Sequence, residues 1–193
     1  GRNYVGLSVF QKQVILKWLR GQDYVDSGRI ALSGHSLGTE PAMALAVLDP
    51  GICALVFNDF LCRNRERYAT RSRDDGVWRH TNPLWHVIPG LLAWFDFPDL
   101  LASLAPRPLI ITEGGAAHDL EHIAKAYELV ASPESYEYHY YAKYARPEDR
   151  KHDFETIPDG VTQDEYFEYV NVDVPNHYFK EDVAVPWLVR HLA

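Results

Sequence analysis

The chain has 193 residues, 47% of them apolar and 24% charged, which is enough for one folded domain with a real core and excludes a disordered, collagen-like or disulfide-stapled chain. With 19 Lys and Arg against 27 Asp and Glu, the formal net charge is −8. That argues against nucleic acid and anionic membrane surfaces as partners, because phosphate contacts need a basic face. No apolar run approaches the ~20 residues of a membrane helix. Cys53 and Cys62 read as unpaired thiols, and the compartment stays open.

The first element is a helix that Ser8 starts and Gly21 ends, with Val9, Phe10, Val14, Ile15, Trp18 and Leu19 forming one apolar stripe. Asp26-Ser27-Gly28 is a turn, and residues 29–33 form a short buried strand. Residues 37–48 are an Ala- and Leu-rich helix whose Pro41 is tolerated only near the first turn. After the turn Asp49-Pro50-Gly51, residues 52–57 are a second buried strand.

From about residue 58 to residue 98 the periodicity breaks down, and the segment reads as an irregular excursion over the sheet edge. It holds Arg63, Arg65, Trp78, Trp85 and Trp94, read here as sheet cover and surface charge rather than as a site. A short helix at 99–104, a third strand at 108–112, a helix at 120–130 and a fourth strand at 136–141 follow. A polar loop with a helical turn near 165–169 leads to a last helix at 182–192, with Val183, Val185, Leu188 and Leu192 inward. His139, on the fourth strand, reads as structural. Alternating strands and helices, with strands that are apolar throughout, imply an α/β fold: a mainly parallel sheet flanked by helices, in one domain over 1–193.

Gly34-His35-Ser36-Leu37-Gly38 is G-x-S-x-G between a buried strand and a small-residue helix. In such an elbow the Ser takes a strained backbone conformation, and side chains two residues before and after it collide, so both positions are expected to be Gly. The hydroxyl then projects from the sheet toward the positive end of the next helix.

The run Arg29-Ile30-Ala31-Leu32-Ser33-Gly34-His35-Ser36-Leu37-Gly38 resembles the α/β-hydrolase superfamily. Together with Leu104-Ala105-Pro106-Arg107-Pro108-Leu109-Ile110-Ile111, it looks most like the branch of acetyl xylan esterases, dienelactone hydrolases and prolyl oligopeptidase-like enzymes. The resemblance covers nearly the whole chain, but as the C-terminal half of that fold. It implies a serine hydrolase cleaving carboxylic esters, possible substrates including acetylated or otherwise esterified carbohydrates, with no cofactor and no metal.

By resemblance the chain order is Ser, acid, His. Ser36 is the candidate nucleophile and the Leu37 backbone N–H one oxyanion donor. Asp119 is the favoured acid, with Glu113 and Glu121 as alternatives and a helix cap as the plain structural role of Asp119. His177 in Val174-Pro175-Asn176-His177-Tyr178-Phe179 is the favoured base, and His152 is its rival. A serine peptidase of the same branch and a non-catalytic hydrolase-fold binding or assembly module are the alternatives to the esterase.

His118-Asp119-Leu120-Glu121-His122 also matches H-x-x-E-H, but it begins a helix and no third ligand is evident, so a metal is not expected. In the full fold several strands precede the elbow strand, whereas here it comes first, leaving its edge bare and the second oxyanion donor missing. The expectation is an N-terminal segment outside this chain, or a homo-oligomer, covering that edge.

Overall fold

A computed structural model describes residues 3–59, 62–71, 87–140, 146–149 and 161–193. Among these, seven helices and four strands run in the order α1 (Tyr4–Arg20), β1 (Ile30–His35), α2 (Thr39–Leu48), β2 (Ile52–Asn58), α3 (Asn64–Arg71), α4 (Phe97–Ala102), β3 (Leu109–Glu113), α5 (Ala117–Leu129), β4 (Tyr136–Tyr138), α6 (Gln163–Tyr169) and α7 (Glu181–Leu192). Every strand pair is parallel, in spatial order β1-β2-β3-β4. This is the α/β-hydrolase-like arrangement expected. None of the described helices is long and apolar enough to cross a membrane.

The alternation of strand side chains sorts the core into two layers. Leu55 and Phe57 of β2, with Leu109 and Ile111 of β3, face a cluster built by α1, α2, α4 and α5. Ala54, Val56 and Ile110 face Ala184 and Trp187 of α7 on the opposite side. A third cluster, made by Cys62, Ala116, Val161 and the α6 residues Tyr166 and Tyr169, lies beyond this sheet core. Both cysteines are free thiols.

The Ala-Pro-Arg-Pro run before β3 has a physical purpose. Arg107 donates to the carbonyls of Ala46 at 2.6 Å, Asp49 at 3.1 Å and Ile52 at 3.3 Å, so one guanidinium ties the end of α2 to the start of β2. Tyr127 Oη donates to the Arg107 carbonyl at 2.6 Å and anchors the run to α5. Burial pulls the Arg107 pKa below its ordinary value.

Three expectations need correction. Helix α1 starts four residues before Ser8, because Asn3 Oδ1 accepts from Gly6 N at 2.6 Å and caps it; Ser8 lies inside the helix. Its buried face is Val5, Val9 and Leu16, while Phe10, Val14, Ile15 and Trp18 stand 53–60% exposed. A stripe has a direction only once a neighbour is present, and β1, at the edge of the described sheet, has β2 on one side only. In α7 the buried residues are Ala184 and Trp187, with Val183, Leu188 and Leu192 packed beside them and Val185 exposed. Trp94 is 86% exposed and covers no sheet; Trp78 and Trp85 lie outside the described residues.

Candidate active site

The carboxyl ends of the strands, where open α/β sheets place their sites, carry a row of polar residues set by register. His35 pairs with Asn58 across β1 and β2, and Asn58 pairs with Glu113 across β2 and β3. Parallel neighbours about 4.8 Å apart therefore stand side by side just where each apolar run ends.

At the end of β1 the chain turns through a tight 3-10 turn, Ser36–Gly38, into α2. Ser36 sits at φ 51°, in the left-handed region that a non-glycine residue occupies at a cost. Gly34 is required: a Cβ there would stand 2.7 Å from Thr39 Cα. Gly38 is not, because its φ is −67° and a Cβ would meet nothing within 4 Å among the described residues. The collision expected on both sides of the Ser thus exists on one side only. Leu37 lies in this turn at the N-terminal end of α2, where unpartnered backbone N–H groups and the helix dipole favour negative charge.

His177 follows a short 3-10 turn ahead of α7. Its Nδ1 donates to Glu113 Oε1 at 3.0 Å, and its ring lies against that of His35, the residue before Ser36 in the chain, tilted by 35° with centroids 4.7 Å apart. Nε2 lies 3.6 Å from Asp59 Oδ2. The Glu113 hydrogen bond raises the His177 pKa most; burial opposes it, the charges of Asp59 and Glu113 assist, and Lys180 subtracts. The His35 pKa is lowered, chiefly by burial and then by the charge of His177.

Glu113 is fully buried and well supported. Its Oε2 accepts from Asn58 Nδ2 at 3.0 Å and stands 3.4 Å from Lys180 Nζ. Asn58 is the hub of the site. Its Nδ2 also faces His35 Nδ1 at 2.9 Å, and its Oδ1 accepts from Thr112 Oγ1 at 2.8 Å and from Lys180 N at 3.1 Å. Sequence reasoning did not single out Asn58. The signal was there: a polar residue closing the apolar run Ile-Cys-Ala-Leu-Val-Phe, as Glu113 closes Leu-Ile-Ile-Thr.

The structure does not bring Asp119 to His177. Asp119 lies in the first turn of α5 with its side chain buried, where its Oδ1 accepts from Arg63 Nε at 2.6 Å. The reason is the turn between them. Gly114 and Gly115, at φ 90° and 100°, swing the chain away, and a Cβ on Gly114 would come within 2.9 Å of Asp59 Cα. Asp119 is not the helix cap either, since that position belongs to Ala116. Burial pushes its carboxyl up, against the pull of His118 and Arg63. Glu121 is exposed, and His152 lies outside the described residues. His139 pairs with Glu137 at 2.7 Å, in keeping with a structural part.

The H-x-x-E-H pattern also divides. His122 Nε2 contacts Asp99 Oδ1 at 3.0 Å, whereas His118 turns inward toward Asp119 and, from α3, Glu66. Burial and the nearby Asp119 charge push Glu66 up to about 7.

Comparison with known proteins supports the α/β-hydrolase fold. The profile of the Abhydrolase family matches residues 1–190. The crystal structure of a Bacteroides fragilis NCTC 9343 protein, provisionally named an acetyl xylan esterase, superposes with a TM-score of 0.88 at 43% identity, over 97% of this chain and 49% of its own. This chain thus spans about half the length of that relative. The fold alone is shared with a CE15 glucuronoyl esterase from Teredinibacter turnerae T7901, at TM-score 0.51 and 16% identity over 67% of this chain and 37% of the other. The same holds for the methylesterase BT1017, at 0.54 and 15% over 100% and 39%. Among curated proteins none matches.

Proposed function

Because the chain belongs to the Abhydrolase family, we propose that it carries the catalytic centre of a carboxylic-ester hydrolase, with Ser36 as nucleophile, His177 as general base and Glu113 as the orienting acid. The observation that carries this reading is the His177–Glu113 hydrogen bond at 3.0 Å, held against His35 beside the strained Ser36.

In this mechanism Glu113 accepts the hydrogen bond from Nδ1–H, fixes the tautomer and leaves Nε2 to take the Ser36 Oγ proton as Oγ attacks the ester carbonyl. The Leu37 N–H receives the developing oxyanion at the positive end of α2. His177 then protonates the leaving alcohol, and water releases the acyl group by the same route. Asn58 and Lys180 hold Glu113 in place. Asp119, bound to Arg63, takes no part in the proton relay.

The 43% identity to a protein provisionally named an acetyl xylan esterase supports an acetylated carbohydrate as substrate class. The outer edge of β1, which has no strand partner among the described residues, and the outward apolar residues of α1 support a covering segment or a second copy, which would also supply the second oxyanion donor.

The test is hydrolysis of p-nitrophenyl acetate and labelling by a fluorophosphonate, for wild type and Ser36→Ala, with the native particle mass measured alongside. Labelling and turnover that vanish in Ser36→Ala support the reading. A folded protein that takes up no fluorophosphonate overturns it in favour of a binding module.

A further inference from the structure

We propose that the chain carries a transition-metal site distinct from the Ser36 centre, with Glu66, His118 and Asp119 as protein ligands for a dication such as Zn2+ or Mn2+. One carboxylate oxygen from each acid and one His118 ring nitrogen lie within 4.8 Å of one another. Asp119 is 1% exposed in its side chain, and its Oδ2 is buried with no hydrogen-bond partner. His118 Nε2 is buried as well; it stands 3.3 Å from Asp119 Oδ1 without making a hydrogen bond to it. Such buried acceptors are rare unless something is missing from the count.

Arg63 does not fill the gap. Its Nε uses only Asp119 Oδ1, and its Nη1 stands 3.8 Å from Glu66 Oε1. One imidazole nitrogen and two carboxylate oxygens form a set that first-row dications accept, with bonds of about 2.0–2.2 Å reachable by small side-chain rotations. Arg63 would then orient a ligating carboxylate from outside the coordination sphere. The ion would tie α3 to the start of α5, which no strand pairing does. The assignment does not depend on the esterase reading.

The experiment is calorimetric titration of ZnCl2 into the purified, chelator-treated chain, repeated with His118→Ala, Glu66→Gln and His122→Ala, each checked for folding by circular dichroism. One equivalent of Zn2+ should bind to wild type and to His122→Ala, and at least about 10-fold more weakly to the other two variants. Having two ligand variants keeps the result readable if one fails to fold. Absence of stoichiometric binding by folded wild type overturns the site. So does wild-type affinity in a folded His118→Ala or Glu66→Gln variant, or loss of binding on His122→Ala.

Discussion

His177 Nδ1 and Glu113 Oε1 stand 3.0 Å apart although 64 residues separate them in the chain. Replacing Glu113 by Gln keeps the shape and removes the charge that selects the Nδ1–H tautomer. The expected result is a fall in kcat of about 10²–10⁴ for p-nitrophenyl acetate with little change in KM. Asp119→Asn should instead lower thermal stability, by breaking the buried pair with Arg63, and leave the rate of fluorophosphonate labelling within a few-fold of wild type. The opposite ranking would return the acid's role to Asp119.

The same pair sets a pH dependence. His177 must be neutral to accept a proton, and its pKa is raised above 6.5 by Glu113, with Asp59 assisting against burial and Lys180. The acid limb of kcat/KM should therefore rise through a midpoint above 6.5, and Glu113→Gln should move that midpoint down. The stability term has a defined sign. A folded pKa above the unfolded one stabilises fully below about 6.5, and that contribution is lost as pH rises through the folded value. A pH–rate profile of both proteins checks the shift.

The two glycines of the elbow should behave differently. Gly34→Ala places a Cβ 2.7 Å from Thr39 Cα, a backbone contact that cannot yield cheaply. It should cost about 1–3 kcal/mol and slow acylation by displacing Ser36. Gly38→Ala, at φ −67° with nothing within 4 Å of the new Cβ among the described residues, should leave the melting temperature unchanged or raise it. Thermal melts with fluorophosphonate labelling test both.

Arg107→Met removes one donor from each of the carbonyls of Ala46, Asp49 and Ile52, of which Asp49 O keeps the Ile52 N–H at 3.3 Å. The expected loss is about 2–3 kcal/mol in urea unfolding, with an unchanged slope, because hydrogen bonds from a charged group exceed the ordinary value. Lys at this position should recover only part, since a single ammonium does not span three acceptors held by a planar fork.

Asn58→Leu should damage the site more than the fold. Its amide joins His35, Glu113, Thr112 and the backbone of Lys180, so with Leu the buried Glu113 carboxylate loses a donor, and Thr112 Oγ1 and the Lys180 N–H lose an acceptor. A fall in kcat larger than the change in KM, with the acid limb of the pH profile displaced, is expected. A lowered melting temperature with an unaltered pH profile would mean that Asn58 is only structural.

Short-range chemistry was readable from the sequence by itself. Apolar runs located the four strands, although the first runs on to His35 and the fourth ends at Tyr138 rather than at residue 141. The family resemblance made His177, ahead of the last helix, the favoured base with His152 as its rival, and the Gly-x-Ser-x-Gly spacing located the turn at Ser36. The strands and that turn follow from steric and burial rules that act over a few residues. The partner of His177 does not. Glu113 and Asp119 are both acids near the exit of β3, and only the left-handed turn at Gly114 and Gly115 decides which one meets His177 and which faces α3. The row of His35, Asn58 and Glu113 likewise exists only through strand register, and Glu66 joins His118 and Asp119 only because the tertiary fold brings them together. The outward face of α1 gives the same lesson in reverse: periodicity draws the stripe, but burial needs a neighbour, and the edge of β1 sets which neighbours there are.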